Sequence, residues 1–303
     1  MTHLALVGPT ASGKSALAFD IARELGDVEI VSCDSMQVYR GLDVGTAKAS
    51  TAERAEVRHH LLDVADPDEE WSVVRFQTEA RKAVADIEGR GRRALLVGGT
   101  GLYFQAVVDD LQIPGEAPDV RAELEAWTTE PGGIAAAYAE LVERDPDAAA
   151  RIDPHNARRI VRALEVIRVT GRPFSSFGPG VGMFGPTAFP VRIAGVWLPR
   201  TVLAERIVAR VAAMRDGGLV AEVEALRGRL SRTAVQAIGY REVLAHLADG
   251  ISLDTALDEA ARRTRSFARR QRMWFRRDPR IVWYATSRNP RAVLGTILAA
   301  WRR

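Results

Sequence analysis

Two stretches of the chain hold residue types at spacings that suit phosphate chemistry. Gly8-Pro9-Thr10-Ala11-Ser12-Gly13-Lys14-Ser15 fits G-x-x-x-x-G-K-[ST] at every fixed position. Such a loop turns backbone N–H groups inward around phosphate oxygens. Lys14 adds a point charge, Ser15 offers a hydroxyl to a magnesium ion, and a following helix points its positive end at the anion. Further on, Asp34-Ser35-Met36-Gln37-Val38-Tyr39-Arg40 follows the apolar run Val28–Cys33. Three roles stay open for Asp34: a magnesium-holding carboxylate, a general base beside bound phosphates, or a helix cap shared with Ser35. Gly98-Gly99-Thr100 lets a backbone approach a ligand closely and adds the Thr100 hydroxyl; a tight turn with an N-cap is the plainer alternative. His59-His60 lacks the i, i+3 or i, i+4 spacing of a helical metal site, and no cysteine lies near it.

A second kind of chemistry sits near the C-terminus. Between Arg262 and Arg280 there are nine arginines and one acid, Asp278, with Phe267, Trp274 and Phe275 interleaved. Guanidinium groups neutralise nucleic-acid phosphates, and aromatic rings stack on unpaired bases. The alternative is a solvated face over a Trp/Phe core stripe. No acidic residue is evident at i±4 to neutralise the face, which favours nucleic acid. Arg269, Arg272 and Arg276 fall at i, i+3 and i+7, with Trp274 and Phe275 offset as core anchors. Arg158-Arg159-Ile160-Val161-Arg162 adds a second basic run, with Arg168 two turns on. Lysine occurs only at positions 14, 48 and 82, so arginine elsewhere reflects a general bias and Lys14 stands out.

The elements that position these residues alternate as in a parallel α/β sheet. Leu4–Val7, Val28–Cys33, His59–Val64, Ala94–Val97, Val191–Leu198 and Ile281–Tyr284 read as strands. Ser15–Leu25, Ser72–Glu88, Arg200–Asp216, Leu219–Arg229, Thr233–Leu247 and Ser252–Arg277 read as helices. From about Gly115 to Gly171 the chain is Ala-, Glu- and Arg-rich without credible strands, and Phe174–Pro190 reads as a linker. The expected division is 1–114 with 186–303 as catalytic core, and 115–185 as an all-helical insertion.

With 303 residues, 47% hydrophobic and 27% charged, the chain is expected to be an ordinary soluble globule. No apolar run reaches the roughly 18 residues of a membrane span, and the N-terminus lacks a signal peptide's basic flank and cleavage site. A cytoplasmic monomer is the expectation. The single cysteine, Cys33, excludes an internal disulfide framework and suits a small buried hydrophobe at a strand end.

Taken together, the motifs resemble the tRNA dimethylallyltransferase family. The matches run in family order: Gly8–Ser15, Asp34–Arg40, Asp43–Lys48, His59–Asp63, Gly98–Tyr103, Arg158–Val166, Gln236-Ala237-Ile238-Gly239-Tyr240-Arg241 and Arg269-Arg270-Gln271-Arg272-Met273-Trp274-Phe275-Arg276. The resemblance implies a P-loop NTPase-like fold whose loop holds the diphosphate of dimethylallyl diphosphate instead of ATP. Residues Thr10 to Ser15 would bind it, with Ser15 at Mg²⁺. Asp34 would take a proton from the N6 amine of adenosine 37, in tRNAs reading codons that begin with U. Thr100 would lie near the reacting groups, and Arg210 would join Lys14 on the leaving diphosphate. Asp34, Ser35, Met36, Gln37, Thr100, Arg121, the run from Arg158 to Arg162, the run from Gln236 to Arg241 and the run from Arg269 to Arg276 would contact tRNA. Ala49 departs from a common proline, and Arg269-Arg270 replaces a lysine-containing pair. No zinc-finger extension is present, which implies the bacterial type. An adenylate isopentenyltransferase, a phosphate-loop kinase and an RNA-binding module are the rival readings.

Overall fold

Apolar runs without polar alternation form strands buried on both faces, the pattern of a parallel sheet sandwiched by helices. The computed structural model describes residues 1–178 and 180–302. Its sheet has six strands, β1 (His3–Val7), β2 (Val28–Ser32), β3 (His59–His60), β4 (Arg93–Gly98), β5 (Val191–Trp197) and β6 (Ile281–Ala285). Their order is β3-β2-β4-β1-β5-β6, and every pairing is parallel. Leu4 through Val7 are fully buried, as the centre of such a sheet requires.

The two-residue period of a strand decides which side chain meets which helix layer. Ala5, Val7, Val31 and Leu96 pack with Phe76 of α3 (Val73–Gly89), Phe104 of α4 (Gly101–Val108) and Phe275 of α12 (Leu253–Phe275). Leu4, Leu6, Ile30, Leu95 and Val97 face the other way. They meet Leu17 and Ile21 of α1 (Lys14–Leu25), and Ile297 and Trp301 of α13 (Leu294–Trp301). Because the strands are parallel, β1, β2 and β4 all end at one edge and deliver Gly8, Asp34 and Thr100 there, where doubly wound sheets place their ligands.

The helix expected over Leu219–Arg229 ends at Ala225, and two further elements differ more. The strand expected over His59–Val64 stops at His60, because Leu61 and Asp63 adopt φ of 63° and 56°, outside extended space. Asp63 is turned there to meet Lys48 Nζ at 2.6 Å and Arg54 Nη1 at 2.5 Å. The single helix expected over Thr233–Leu247 breaks at Gly239, where φ is 101°, and α11 (Tyr240–Asp249) restarts after it. Gly239 donates its N–H to the Glu242 carboxylate at 2.7 Å to begin that helix.

The chain divides into two compact units, Met1–Asp110 with Phe184–Arg303, and Leu111–Met183. The second contains α5 (Pro118–Thr129), α6 (Gly133–Arg144), α7 (Pro146–Ala149) and α8 (Ala157–Thr170) around Leu124, Leu141, Ile160, Val161, Leu164 and Ile167.

Candidate active site

The phosphate loop is shaped by backbone that few residues adopt. Ala11 and Gly13 lie at φ of 61° and 81°, turning successive peptides of the loop. A Cβ at Gly13 would stand 2.5 Å from Pro290 Cγ and 3.1 Å from Arg206 Nη2, so space as well as φ demands glycine. Arg206, on α9 (Arg200–Asp216), holds the loop from outside by donating Nε to the Ala11 carbonyl at 2.8 Å. Lys14 Nζ reaches back to the Pro9 carbonyl at 3.5 Å. Ser12 is fully buried, and its hydroxyl lacks a partner among the described residues. Ser15 opens the first turn of α1 with an exposed side chain.

Asp34 caps no helix. Its Oδ1 accepts the Met36 N–H at 2.9 Å in a local turn, and Oδ2 has no hydrogen-bond partner among the described residues. Thr100 stands at the N-cap of α4 without capping it; its hydroxyl accepts the Ser35 N–H at 3.4 Å. The β2 and β4 ends are thereby tied together beside Asp34. Gln37 is committed internally, accepting from Ser32 Oγ at 2.8 Å and donating to the Thr46 carbonyl at 3.2 Å. Arg210 donates to the same carbonyl at 3.2 Å.

Lys14, Arg210 and Asp34 share one electrostatic field. Burial pulls Lys14 down to about 8, with Asp34 opposing the shift and Arg210 adding to it. Burial also lowers Arg210, again opposed by Asp34. Two cations against one carboxylate leave excess positive charge beside the phosphate loop, a setting for a polyanion.

Comparison with known proteins places the chain in a family. The IPP transferase family matches residues 37–278, and the Isopentenyl transferase family matches residues 1–67. The chain belongs to the IPP transferase family. It is 52% identical over 288 residues to a tRNA dimethylallyltransferase of Kineococcus radiotolerans, covering 92% of this chain and 89% of that one. A tRNA dimethylallyltransferase of Bifidobacterium animalis subsp. lactis is 49% identical, with 92% and 81% covered. Among solved structures, the tRNA isopentenylpyrophosphate transferase of Bacillus halodurans superposes with a TM-score of 0.73 at 38% identity, covering 99% of this chain and 95% of that one. A eukaryotic dimethylallyltransferase acting on tRNA gives 0.80 at 27% identity, covering 100% and 80%. The fold is accordingly the P-loop NTPase-like fold, and the enzyme is a prenyltransferase.

In this IPP transferase the basic surfaces differ in part from their sequence reading. On α12, Arg265, Arg269, Arg270, Met273 and Arg276 are exposed. Arg272 is a correction: it is buried, donates to the Leu198 carbonyl at 3.1 Å and lies 3.7 Å over the Trp197 ring. The absence of acidic partners is a second correction. Arg262 pairs with Glu259, Arg263 with Glu242, and Arg280 with Asp109 and Asp278. Phe275 is core, and Trp274 lies where a Cβ on Gly101 would strike it. Gln271 also faces inward, toward the phosphate loop.

Other expected tRNA contacts are likewise interior. Ala237 and Tyr240 are buried, and Gly239 serves as the hinge into α11; Gln236 and Arg241 are exposed, with Ile238 half-buried between them. Ile160 and Val161 belong to the core of the helical insertion, leaving Arg158 and Arg159 exposed. Arg121 and Arg162 both bind the buried Glu165, with Arg121 Nη2 at 3.0 Å and Arg162 Nη1 at 2.9 Å. Burial alone would raise Glu165; the Ala117 N–H and the two guanidiniums outweigh it and hold the carboxyl below its usual range. These two arginines secure the insertion.

Two functional neighbours escaped sequence reasoning. Arg206 repeats Arg210 at i−4, a spacing that shares a helical face and offered the only signal. Glu222, on α10 (Leu219–Ala225), accepts the N–H groups of Asp43 at 3.0 Å, Val44 at 2.8 Å and Gly45 at 3.1 Å, together with the Tyr240 hydroxyl. It fixes the loop whose Thr46 carbonyl receives Arg210 and Gln37. Nothing in the local sequence marks it.

The exposed arginines make a quantitative prediction. Arg269→Ala and Arg276→Ala should each weaken RNA binding and flatten its log–log salt dependence by roughly 0.7–0.9 for each phosphate no longer neutralised. Arg272→Ala should leave that slope unchanged and lower the melting temperature, because it removes a desolvated cation–π interaction worth about 2 kcal/mol. Titrations with an anticodon stem-loop at several salt concentrations separate the two. An Arg272→Ala slope change equal to that of Arg269→Ala would return Arg272 to the RNA face.

Proposed function

We propose that the chain transfers the dimethylallyl group of dimethylallyl diphosphate to N6 of adenosine 37, beside the anticodon, in tRNAs reading codons that begin with U. It would do so as a cytoplasmic monomer. The observation that carries the chemistry is the shared field of Lys14, Arg210 and Asp34 at the strand edge, with Asp34 Oδ2 unpartnered among the described residues. Family membership and the named relatives support dimethylallyl transfer to tRNA; the position, atom and diphosphate donor are the finer part of the proposal.

Adenine N6 is a poor nucleophile because its lone pair is delocalised into the ring. A new bond forms from N6 to C1 of the allyl group while the C1–O bond breaks, and diphosphate departs with that electron pair. The N6 proton passes to Asp34 Oδ2. Lys14, Arg210 and the loop amides receive the charge that develops on the diphosphate. Thr100 holds the Ser35 backbone and so the aim of Asp34. An adenine stacked in a loop must also be turned out to reach this base, as other base-modifying enzymes require.

Magnesium fits the residues present. Ser15 offers an exposed hydroxyl at the start of α1, at the strand edge that carries the phosphate loop. Among the described residues no group of three His, Cys, Asp or Glu gathers elsewhere as a cage. Magnesium suits a site with one or two protein oxygens, completed by substrate phosphates and water. When bound it would neutralise charge on the leaving diphosphate, with Ser15 as its ligand.

The deciding experiment supplies dimethylallyl diphosphate and magnesium with either tRNA or AMP as acceptor. The expected result is a prenyl group on adenosine 37 of tRNA alone. Transfer to AMP with tRNA unmodified would identify a free-nucleotide prenyltransferase, and phosphoryl transfer from ATP would identify a kinase.

A further inference from the structure

Gln271 is only 6% exposed, on the inward face of the helix that turns Arg265, Arg269 and Arg276 to solvent. Both ends of its amide are used. Oε1 accepts the Thr10 N–H of the phosphate loop at 2.8 Å, and Nε2 donates to the Gly99 carbonyl at 2.9 Å. The amide therefore spans the ends of β1 and β4. A Cβ at Gly99 would strike Nε2 of Gln271, so a side chain there would displace the amide. A buried amide with a donor and an acceptor, each matched to a different loop, fixes the separation of those loops.

We infer that Gln271 is a positioning residue that carries the seating of RNA on the outer face of α12 into the shape of the diphosphate loop. This rests on the reading of that loop as a diphosphate site. The helix is the rigid link: its outer arginines meet RNA phosphates, and its inner amide holds Thr10 at the mouth of the loop. A shift of α12 on RNA docking moves the Thr10 peptide and, through Gly99, the neighbouring Thr100. By linkage, diphosphate tightens RNA binding by the same factor that RNA tightens diphosphate binding.

The test measures dimethylallyl diphosphate binding by calorimetry, with and without an anticodon stem-loop, for the full chain and two variants. Gln271→Met keeps the volume and removes both hydrogen bonds. It should weaken diphosphate binding about tenfold, abolish the tightening that RNA confers, and leave the RNA salt slope unchanged. Gln271→Glu keeps the acceptor for Thr10 but puts a carboxylate oxygen against the Gly99 carbonyl. Burial against the Gly99 carbonyl raises that carboxyl above its ordinary value of about 4.3 and protonation restores the donor, so its diphosphate affinity relative to wild type should recover as pH falls from about 8 to about 4. A merely space-filling residue would show no such recovery, and the Glu variant keeps the test valid if the Met variant fails to fold. Unaltered diphosphate binding in both variants overturns the inference, as does a ratio for Gln271→Glu that is flat with pH. A loss of RNA affinity with diphosphate binding intact would make Gln271 an RNA contact instead. Failure of the wild-type chain to bind dimethylallyl diphosphate would overturn the diphosphate reading itself, a separate result.

Discussion

Asp34→Asn should keep the fold and most of the tRNA affinity while turnover falls by roughly 10²–10⁴-fold, the usual worth of a positioned general base. The substitution is close to isosteric. The amide oxygen it introduces would still accept the Met36 N–H, so the turn that aims the side chain survives. What disappears is the basic oxygen left free to take a proton. Removing the carboxylate also removes a negative charge from the field of Lys14 and Arg210, so diphosphate binding should hold or tighten while chemistry fails. Single-turnover rates with tRNA, set beside diphosphate affinity, make the distinction. Near wild-type turnover in this variant would reduce Asp34 to a turn residue.

Lys14→Ala should lower turnover by roughly 10²–10³-fold by stripping the developing diphosphate charge of a close cation. RNA binding should be untouched. The native lysine carries a second, sharper signature in its pH dependence. Burial holds its pKa at about 8, so the free enzyme loses this cation as pH rises through that value. An ordinary lysine keeps its charge to about 10.4. Diphosphate affinity should therefore decline above about pH 8, and binding there should take up a proton, measurable by calorimetry in buffers of different ionisation enthalpy. Lys14→Arg carries a guanidinium that stays charged across this range, so its affinity should not decline in that window. A wild-type affinity flat from about pH 7 to about pH 9.5 would show that Lys14 does not face the anion.

Much of the scaffold was legible because it depends on local pattern. Five of the six strands lie where apolar runs predicted them, the other is cut to His59–His60, and Arg200–Asp216 is a helix over the expected span. The central strands are buried on both faces, a pattern that an unbroken apolar run shows by itself, so a parallel sheet announces itself. The misses share a cause. α4 is almost wholly buried and has no amphipathic stripe to detect. α13 packs on α1 with Ile297, Leu298 and Trp301, a partner nearly the whole chain away. Asp63 leaves extended space because Lys48 and Arg54 pull it, which no propensity for residues 59–64 can report.

The chemistry divides along the same line. The phosphate loop, the strand-end aspartate and the arginine-rich helix were visible from type and spacing because they are short-range objects, whereas the roles given to Asp34, Thr100 and Arg210 came only with the family resemblance. Which arginines are available for RNA did not follow. Arg269, Arg272 and Arg276 share one helical face by spacing, yet Arg272 is buried against Trp197 of a strand more than seventy residues earlier, while Arg269 faces solvent and Arg276 stays exposed at the edge of the same ring, 5.9 Å from its centre. Gln271 sits in the middle of a basic motif and turns its amide to two loops at the other end of the chain. Arg121 and Arg162 look like a basic patch until Glu165 closes on both. In each case the deciding term is a desolvated partner brought from elsewhere in the fold: residue type sets what a side chain can bind, and packing decides whether another residue already occupies it.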